Sequence, residues 1–156
     1  MSVMDRITEK ARSDKKYILL PEGAEERTVQ AAELITKQGI AKVALLGRRD
    51  EIEAAAASLA VSLGGVEIID PLTSPDLPAF AEKFYEMRKD KGVTLEKAAE
   101  TMRDTLFFAA MMIKLGKADG MVAGAINTTG NTLRPALQVI KTAPGISTVS
   151  SCFIME

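Results

Sequence analysis

Short apolar runs alternate with helical patterns along most of this chain, and that alternation limits the folds open to it. Tyr17-Ile18-Leu19-Leu20, Lys42-Val43-Ala44-Leu45-Leu46 and Val66-Glu67-Ile68-Ile69 are brief and apolar, and they stop at Pro21, Gly47 and Asp70-Pro71. The first two do not switch between apolar and polar at every second residue, the mark of strands buried on both faces. Helical stretches separate them. Met4, Ile7 and Ala11 recur at helical spacing up to about residue 14, and Val29, Ala32 and Ile35 share one face of a helix over 25–38 that Gly39 closes. An alanine-rich helix over 50–59 follows. The pattern predicts an α/β fold of three layers, helix-sheet-helix, around a mostly parallel sheet.

Beyond the loop at 70–75, Leu77, Phe80, Phe84 and Met87 mark a helix over 76–90. Thr94 is placed to cap a second helix, and Asp104-Thr105 opens a third that ends before Gly116. A strand is expected at 120–124 and a helix starting within 131–133, with Pro135 in its first turn, where a missing N–H does no harm. The run 148–155 reads as a further core strand, without a polar tail, so the expectation is a chain cut short of its natural length. Its 156 residues suit one domain.

Composition removes several kinds of chemistry. Lys+Arg total 20 against 21 Asp+Glu, so no basic excess points to nucleic acid. The chain has no histidine, which excludes Ser-His and Cys-His catalysis and the commonest metal ligand. Cys152 stands alone, so no internal disulfide or CxxC site exists, no metal centre is expected, and the thiol is expected in the core. No apolar run approaches membrane-spanning length and the first residues do not read as a signal peptide; a cytoplasmic protein is the expectation.

Ligands of an open parallel sheet collect where strands end and helices begin. Two segments have the composition for it. Pro21-Glu22-Gly23-Ala24-Glu25-Glu26-Arg27 follows the first strand, and reads equally well as a turn with an acid-rich first helical turn and a solvated Arg27. The second segment carries more. In Gly124-Ala125-Ile126-Asn127-Thr128-Thr129-Gly130-Asn131-Thr132-Leu133-Arg134-Pro135, glycines, hydroxyls and amides lie between a strand and a helix N-terminus. Backbone N–H groups and the helix dipole there favour a phosphate or an oxyanion, and Arg134, in the first turn on this reading, adds a forked cationic donor. Arg88-Lys89-Asp90-Lys91-Gly92 is a third candidate, although cations in the last turn of a helix also serve its dipole. Nucleotide-binding glycine motifs are absent.

The run Asp119-Gly120-Met121-Val122-Ala123-Gly124-Ala125-Ile126-Asn127-Thr128-Thr129-Gly130-Asn131-Thr132-Leu133-Arg134-Pro135 resembles the signature of phosphate acetyltransferases. Lys141-Thr142-Ala143-Pro144-Gly145-Ile146, Leu20-Pro21-Glu22 with Glu26-Arg27-Thr28, and Phe84-Tyr85-Glu86-Met87-Arg88-Lys89 resemble the same family in the same order. The resemblance covers essentially the whole chain. It implies two α/β domains flanking a cleft, similar to isocitrate/isopropylmalate dehydrogenases, with 1–146 as most of the first domain and 147–156 as the start of the crossover into the second. It also implies acyl transfer: coenzyme A thiolate attacks the carbonyl of acetyl phosphate and phosphate leaves.

Arg88 and Arg134 are then expected to contact coenzyme A, Arg27 to face the cleft, and Asn127, Thr128, Thr129 and Gly130 to line its acetyl phosphate end. Coenzyme A is a substrate, and no bound cofactor is expected. The carboxylate, serine and arginine that complete catalysis belong to the carboxyl-terminal part of such enzymes, so no catalytic residue is expected here and this chain alone is expected to be inactive. The full-length family forms homodimers, and an incomplete sheet edge is expected to self-associate. Alternatives are an acetyl-CoA-sensing regulatory domain of the malic-enzyme type and a phosphate butyryltransferase. The amino-terminal helix favours the stand-alone enzyme over the first, and the Asn127-Thr128-Thr129 loop favours acetyl over butyryl.

Overall fold

Residues 2–155 are described by a computed structural model. Strands β1 (Tyr17–Leu20), β2 (Lys42–Leu46), β3 (Glu67–Ile69) and β4 (Gly120–Met121) form one sheet in the order β3-β2-β1-β4, every pair parallel. Leu19 sits at the middle of the register, beside Ala44 on one neighbour and Met121 on the other.

The pleat sends alternate side chains to two separate cores. Leu20, Val43 and Leu45 face α2 (Glu26–Gln38) and α3 (Arg49–Ser58), which supply Val29, Ala32, Ile52 and Ala56. Leu19, Ala44 and Leu46 face the other way, toward α4 (Leu77–Arg88), α5 (Leu95–Thr101) and α6 (Thr105–Lys114). Buried residues occur all round α6, including Phe108 and Met111, as a helix at the centre of a layer requires. Phe80 of α4 meets Phe108 with ring centroids 4.8 Å apart, inside the range for favourable aromatic pairs. The fold is therefore the three-layer α/β arrangement that the alternation predicts.

Helix ends follow local chemistry. Glu25 caps α2 by accepting from Thr28 N, and Gly39 ends it in the left-handed conformation. Thr94 caps α5, and Asp104 caps α6 through the N–H groups of Leu106 and Phe107. The leading helix, α1 (Val3–Ser13), carries a capping box between Ser2 and Asp5. It buries no residue, so its Met4 and Ile7 stripe is exposed, and Arg12 Nε tethers it to the carbonyl of Gln38 at 2.9 Å.

Five expectations are corrected. The last strand spans only Gly120–Met121, not 120–124. Helix α7 spans Thr129–Pro135 with Thr128 as its cap, so it starts ahead of 131–133. Pro135 is consequently its final residue and not part of its first turn, and a π-helical turn, Ala136–Ile140, continues the chain. Proline there removes one N–H from the ladder, a reason for the regular helix to give way at that point. Residues 148–155 form no strand and lie exposed: none of the described strands pairs with them, and apolar composition without a ladder partner does not make a strand. Cys152 belongs to that segment and is exposed, not a core residue.

Candidate functional site

The chain runs outward from β1 through β2 to β3, then returns to pair β4 on the opposite side of β1. Strand order thus reverses between β1 and β4, and the loops leaving those two strands diverge there into a crevice, the usual ligand position in open α/β sheets. Pro21-Glu22-Gly23 leaves β1 and residues 122–128 leave β4, so the two segments singled out in the sequence meet at one place.

Glu22 joins them. It is 6% exposed, and both carboxylate oxygens are fully engaged by the second loop. Oε2 accepts from Gly124 N at 2.9 Å and Ala125 N at 2.7 Å. Oε1 accepts from Ile126 N at 3.0 Å, Asn127 N at 2.8 Å and Asn127 Nδ2 at 2.9 Å. Successive backbone N–H groups converging on one point make an anion nest, and here the anion is part of the protein. Burial by itself pushes the Glu22 pKa upward, but the donated hydrogen bonds outweigh it together and hold the group at about 2. Gly124 makes the loop possible, since its φ of 115° lies where L side chains are strained. Gly23 serves the same junction: its N–H donates to Leu46 O at 3.0 Å, and a Cβ there would stand 2.5 Å from that oxygen.

Arg27 braces the loop from α2. Its Nη2 donates to Ala125 O at 2.8 Å and its Nε to Glu25 Oε1 at 2.7 Å, while the side chain stays largely in solvent. Thr128 accepts from Asn131 N, and Thr129 and Gly130 form the first residues of α7. Arg134 lies four residues beyond Gly130, on the same side of that helix, exposed and with no hydrogen bond or ion pair among the described residues. Since α7 begins at Thr129, Arg134 is in its last turn, where a cation complements the dipole. The expectation that Arg134 lies in the first turn is corrected accordingly.

Arg88 ends α4, half-buried, and its Nε is buried without a partner. No hydrogen bond or ion pair ties it to the loop at 122–134 among the described residues; α6 packs against both α4 and α7. The structure thus ties Arg27 and Asn127 to the β1/β4 junction, Arg27 through Ala125 O and Asn127 through Glu22, with Thr128, Thr129 and Gly130 following directly in the chain; neither Arg88 nor Arg134 makes a hydrogen bond or ion pair to that junction among the described residues. Among the described residues no group of three or more His, Cys, Asp or Glu side chains is placed to hold a metal.

Residues 2–156 match the model of the family described as Phosphate acetyl/butaryl transferase. The chain belongs to that family.

The phosphate acetyltransferase of Thermoanaerobacterium thermosaccharolyticum is 56% identical over 156 residues, all of this chain and 47% of its own length. That of Acetivibrio thermocellus is 52% identical over 155 residues, 99% of this chain and 46% of its own. A solved phosphotransacetylase from Streptococcus pyogenes superimposes with a TM-score of 0.88 at 40% identity, over 95% of this chain and 46% of that one. The EutD phosphotransacetylase from Staphylococcus aureus gives a TM-score of 0.85 at 36% identity, over 93% of this chain and 44% of that one. The chain therefore spans about half the length of each of these four relatives.

Glu22 is the residue that sequence reasoning passed over. Its loop read as a turn before an acidic helix start, and the donors that explain it lie 102 to 105 positions away. The available signal was an acidic side chain two residues past an apolar strand, where a buried neighbour is expected.

Proposed function

We propose that the longer protein carrying this chain transfers an acetyl group between coenzyme A and inorganic phosphate, and that this chain supplies one wall of the cleft without turning over by itself. The observation that supports the reading is the β1/β4 junction, where Arg27 holds the loop that leads into Asn127–Gly130 through Ala125 O, in a member of this family. Arg134, exposed and without a hydrogen bond or ion pair among the described residues, is available to an anionic substrate. Every relative named above is a phosphate acetyltransferase or phosphotransacetylase, which favours acetyl over butyryl.

In this reading the coenzyme A sulfur bonds to the acetyl carbonyl carbon, the bond from that carbon to the phosphate oxygen breaks, and phosphate leaves with the electron pair. Arg27, Arg88 and Arg134 serve the phosphate-bearing ends of the substrates, and Asn127, Thr128, Thr129 and Gly130 line the acetyl phosphate end. Holding two anions together against their repulsion is the main task of such a cleft. Residues 1–146 form most of the first domain and 147–156 lead toward the second, which brings the proton acceptor. Coenzyme A enters as substrate, and no resident cofactor or nucleic acid takes part. No described helix is long and apolar enough to cross a membrane. A cytoplasmic homodimer is the setting that fits this reading.

Calorimetric titration of the 156-residue chain with coenzyme A and with acetyl phosphate, beside an assay of acetyl-CoA formation, tests it. Binding without turnover is expected, weakened by Arg134→Ala, and transfer is expected from the longer protein. Turnover by this chain, abolished by Arg134→Ala, would place the catalytic group inside it; no transfer by the longer protein would overturn the reading.

A further inference from the structure

We propose that Glu22 is a positioning residue: its carboxylate is the internal counter-anion that shapes the 124–127 loop and thereby sets where Asn127 and the start of α7 stand in the crevice. The catalytic consequence rests on the acetyl-transfer reading above; the structural claim does not.

Three observations carry it. First, the engagement is complete. Four consecutive backbone N–H groups and one side-chain amide converge on a single buried carboxylate, and no donor in the nest is left for a substrate anion. A substrate phosphate must therefore be met by groups other than these four backbone donors.

Second, the contact fixes the orientation of Asn127. With Nδ2 donating to Glu22, the Asn127 Oδ1 is directed away from that carboxylate, so the residue offers its neighbours an acceptor. Third, the anchor itself is rigid. Glu22 lies between buried Pro21 and Gly23, and Gly23 is hydrogen-bonded to β2 through Leu46 O. The geometry of the β4 loop is thus referred to the centre of the sheet, with Arg27 holding the same loop through Ala125 O.

Glu22→Ala removes the anion and leaves the nest open, so small carboxylates become a direct probe. On the 156-residue chain, the amide resonances of Gly124, Ala125, Ile126 and Asn127 are expected to shift and to lose protection from exchange in Glu22→Ala. Formate is expected to restore them, and chloride at equal ionic strength is not. The wild-type chain, its nest filled, is expected to ignore formate. In the longer protein, kcat is expected to fall about 10²-fold, the loss typical of a misplaced reacting group. KM for coenzyme A should stay within about twofold, and formate should recover part of kcat.

Should Glu22→Ala fold only in the presence of formate, that dependence supports the proposal in the same way. Should it fail to fold under any condition, Glu22→Gln takes its place: it keeps the volume but turns an N–H toward N–H donors, and the same fall in kcat per folded molecule is expected. Amide signals unmoved by the substitution, or wild-type kcat in Glu22→Gln, would overturn the proposal. If the wild-type longer protein transfers no acetyl group, the functional reading fails while the amide measurements still decide the role of Glu22.

Discussion

A carboxylate whose pKa is lowered by folding stabilises the fold only while it is ionised, which gives Glu22 a pH signature. Its pKa falls from an ordinary 4.5 to about 2, so its contribution is complete above about 4.5 and is lost as the pH drops toward 2. At about 1.4 kcal/mol per unit, the shift corresponds to roughly 3 kcal/mol at neutral pH. Urea unfolding should show stability declining between pH 4.5 and 2.5. Glu22→Gln should lower stability at pH 7 by about 2–3 kcal/mol and flatten that decline. Arg27 is the charged group that faces this carboxylate, and it keeps its charge throughout the range. Asp50 and Glu100 also titrate low, beside Arg48 and Lys97, but these are exposed pairs of small effect. A decline that persists undiminished in Glu22→Gln would contradict the assignment. Gly23 offers a second test at this scale. A methyl group there meets a backbone oxygen that cannot swing aside, so Gly23→Ala should cost about 1–3 kcal/mol in the same measurement.

At the scale of elements, α7 separates folding from function. Gly130 is in its first turn, its φ is not positive, and a Cβ added there meets nothing within 4 Å. Gly130→Ala should therefore raise stability by about 0.5–1 kcal/mol through the unfolded chain's lost freedom. If Gly130 lines the cleft as proposed, the same substitution should lower transfer by the longer protein, and a thermal melt beside an activity assay distinguishes the two effects. The same helix shows where sequence pattern reaches its limit. Strands β1 and β2 were legible because their short apolar runs stop at Pro21 and Gly47 and alternate with helical patterns, and Thr94, Asp104 and Gly39 are local signals that did what such residues do. Thr129-Gly130 has poor intrinsic helix propensity and read as loop, yet the Thr128 cap and packing of α7 against α6 outweigh that propensity. Residues 148–155 err in the opposite direction, since strand propensity without a ladder partner leaves them irregular and exposed. The candidate site followed the same rule. Its two loops were visible as compositions, but their meeting depended on strand order, and Glu22 on a contact spanning more than a hundred residues.

For the whole molecule, the two faces of the sheet are covered unequally. One face is closed by α4, α5, α6 and the π-helical turn. On the other, α2 and α3 cover β2 and β3 and leave a trough of about 410 Å³ alongside β1 and β4, with Ile18, Ile35, Val122 and Ala123 in its walls. Among the described residues no strand pairs with the outer edge of β4, and Val122, just past its end, is 65% exposed. An open strand edge beside an apolar trough is a template for association between copies. Sedimentation velocity on this chain should accordingly show an average mass that rises with concentration. A single charge at the trough's rim should oppose it: Val122→Lys is expected to shift the distribution toward monomer. Because that side chain is already mostly in solvent, its melting behaviour should change by less than about 0.5 kcal/mol. The exposed tail bearing Phe153 and Ile154 is the competing source of association. If Val122→Lys leaves the mass distribution unchanged while Phe153→Ser collapses it to monomer, the tail and not the sheet edge joins the copies.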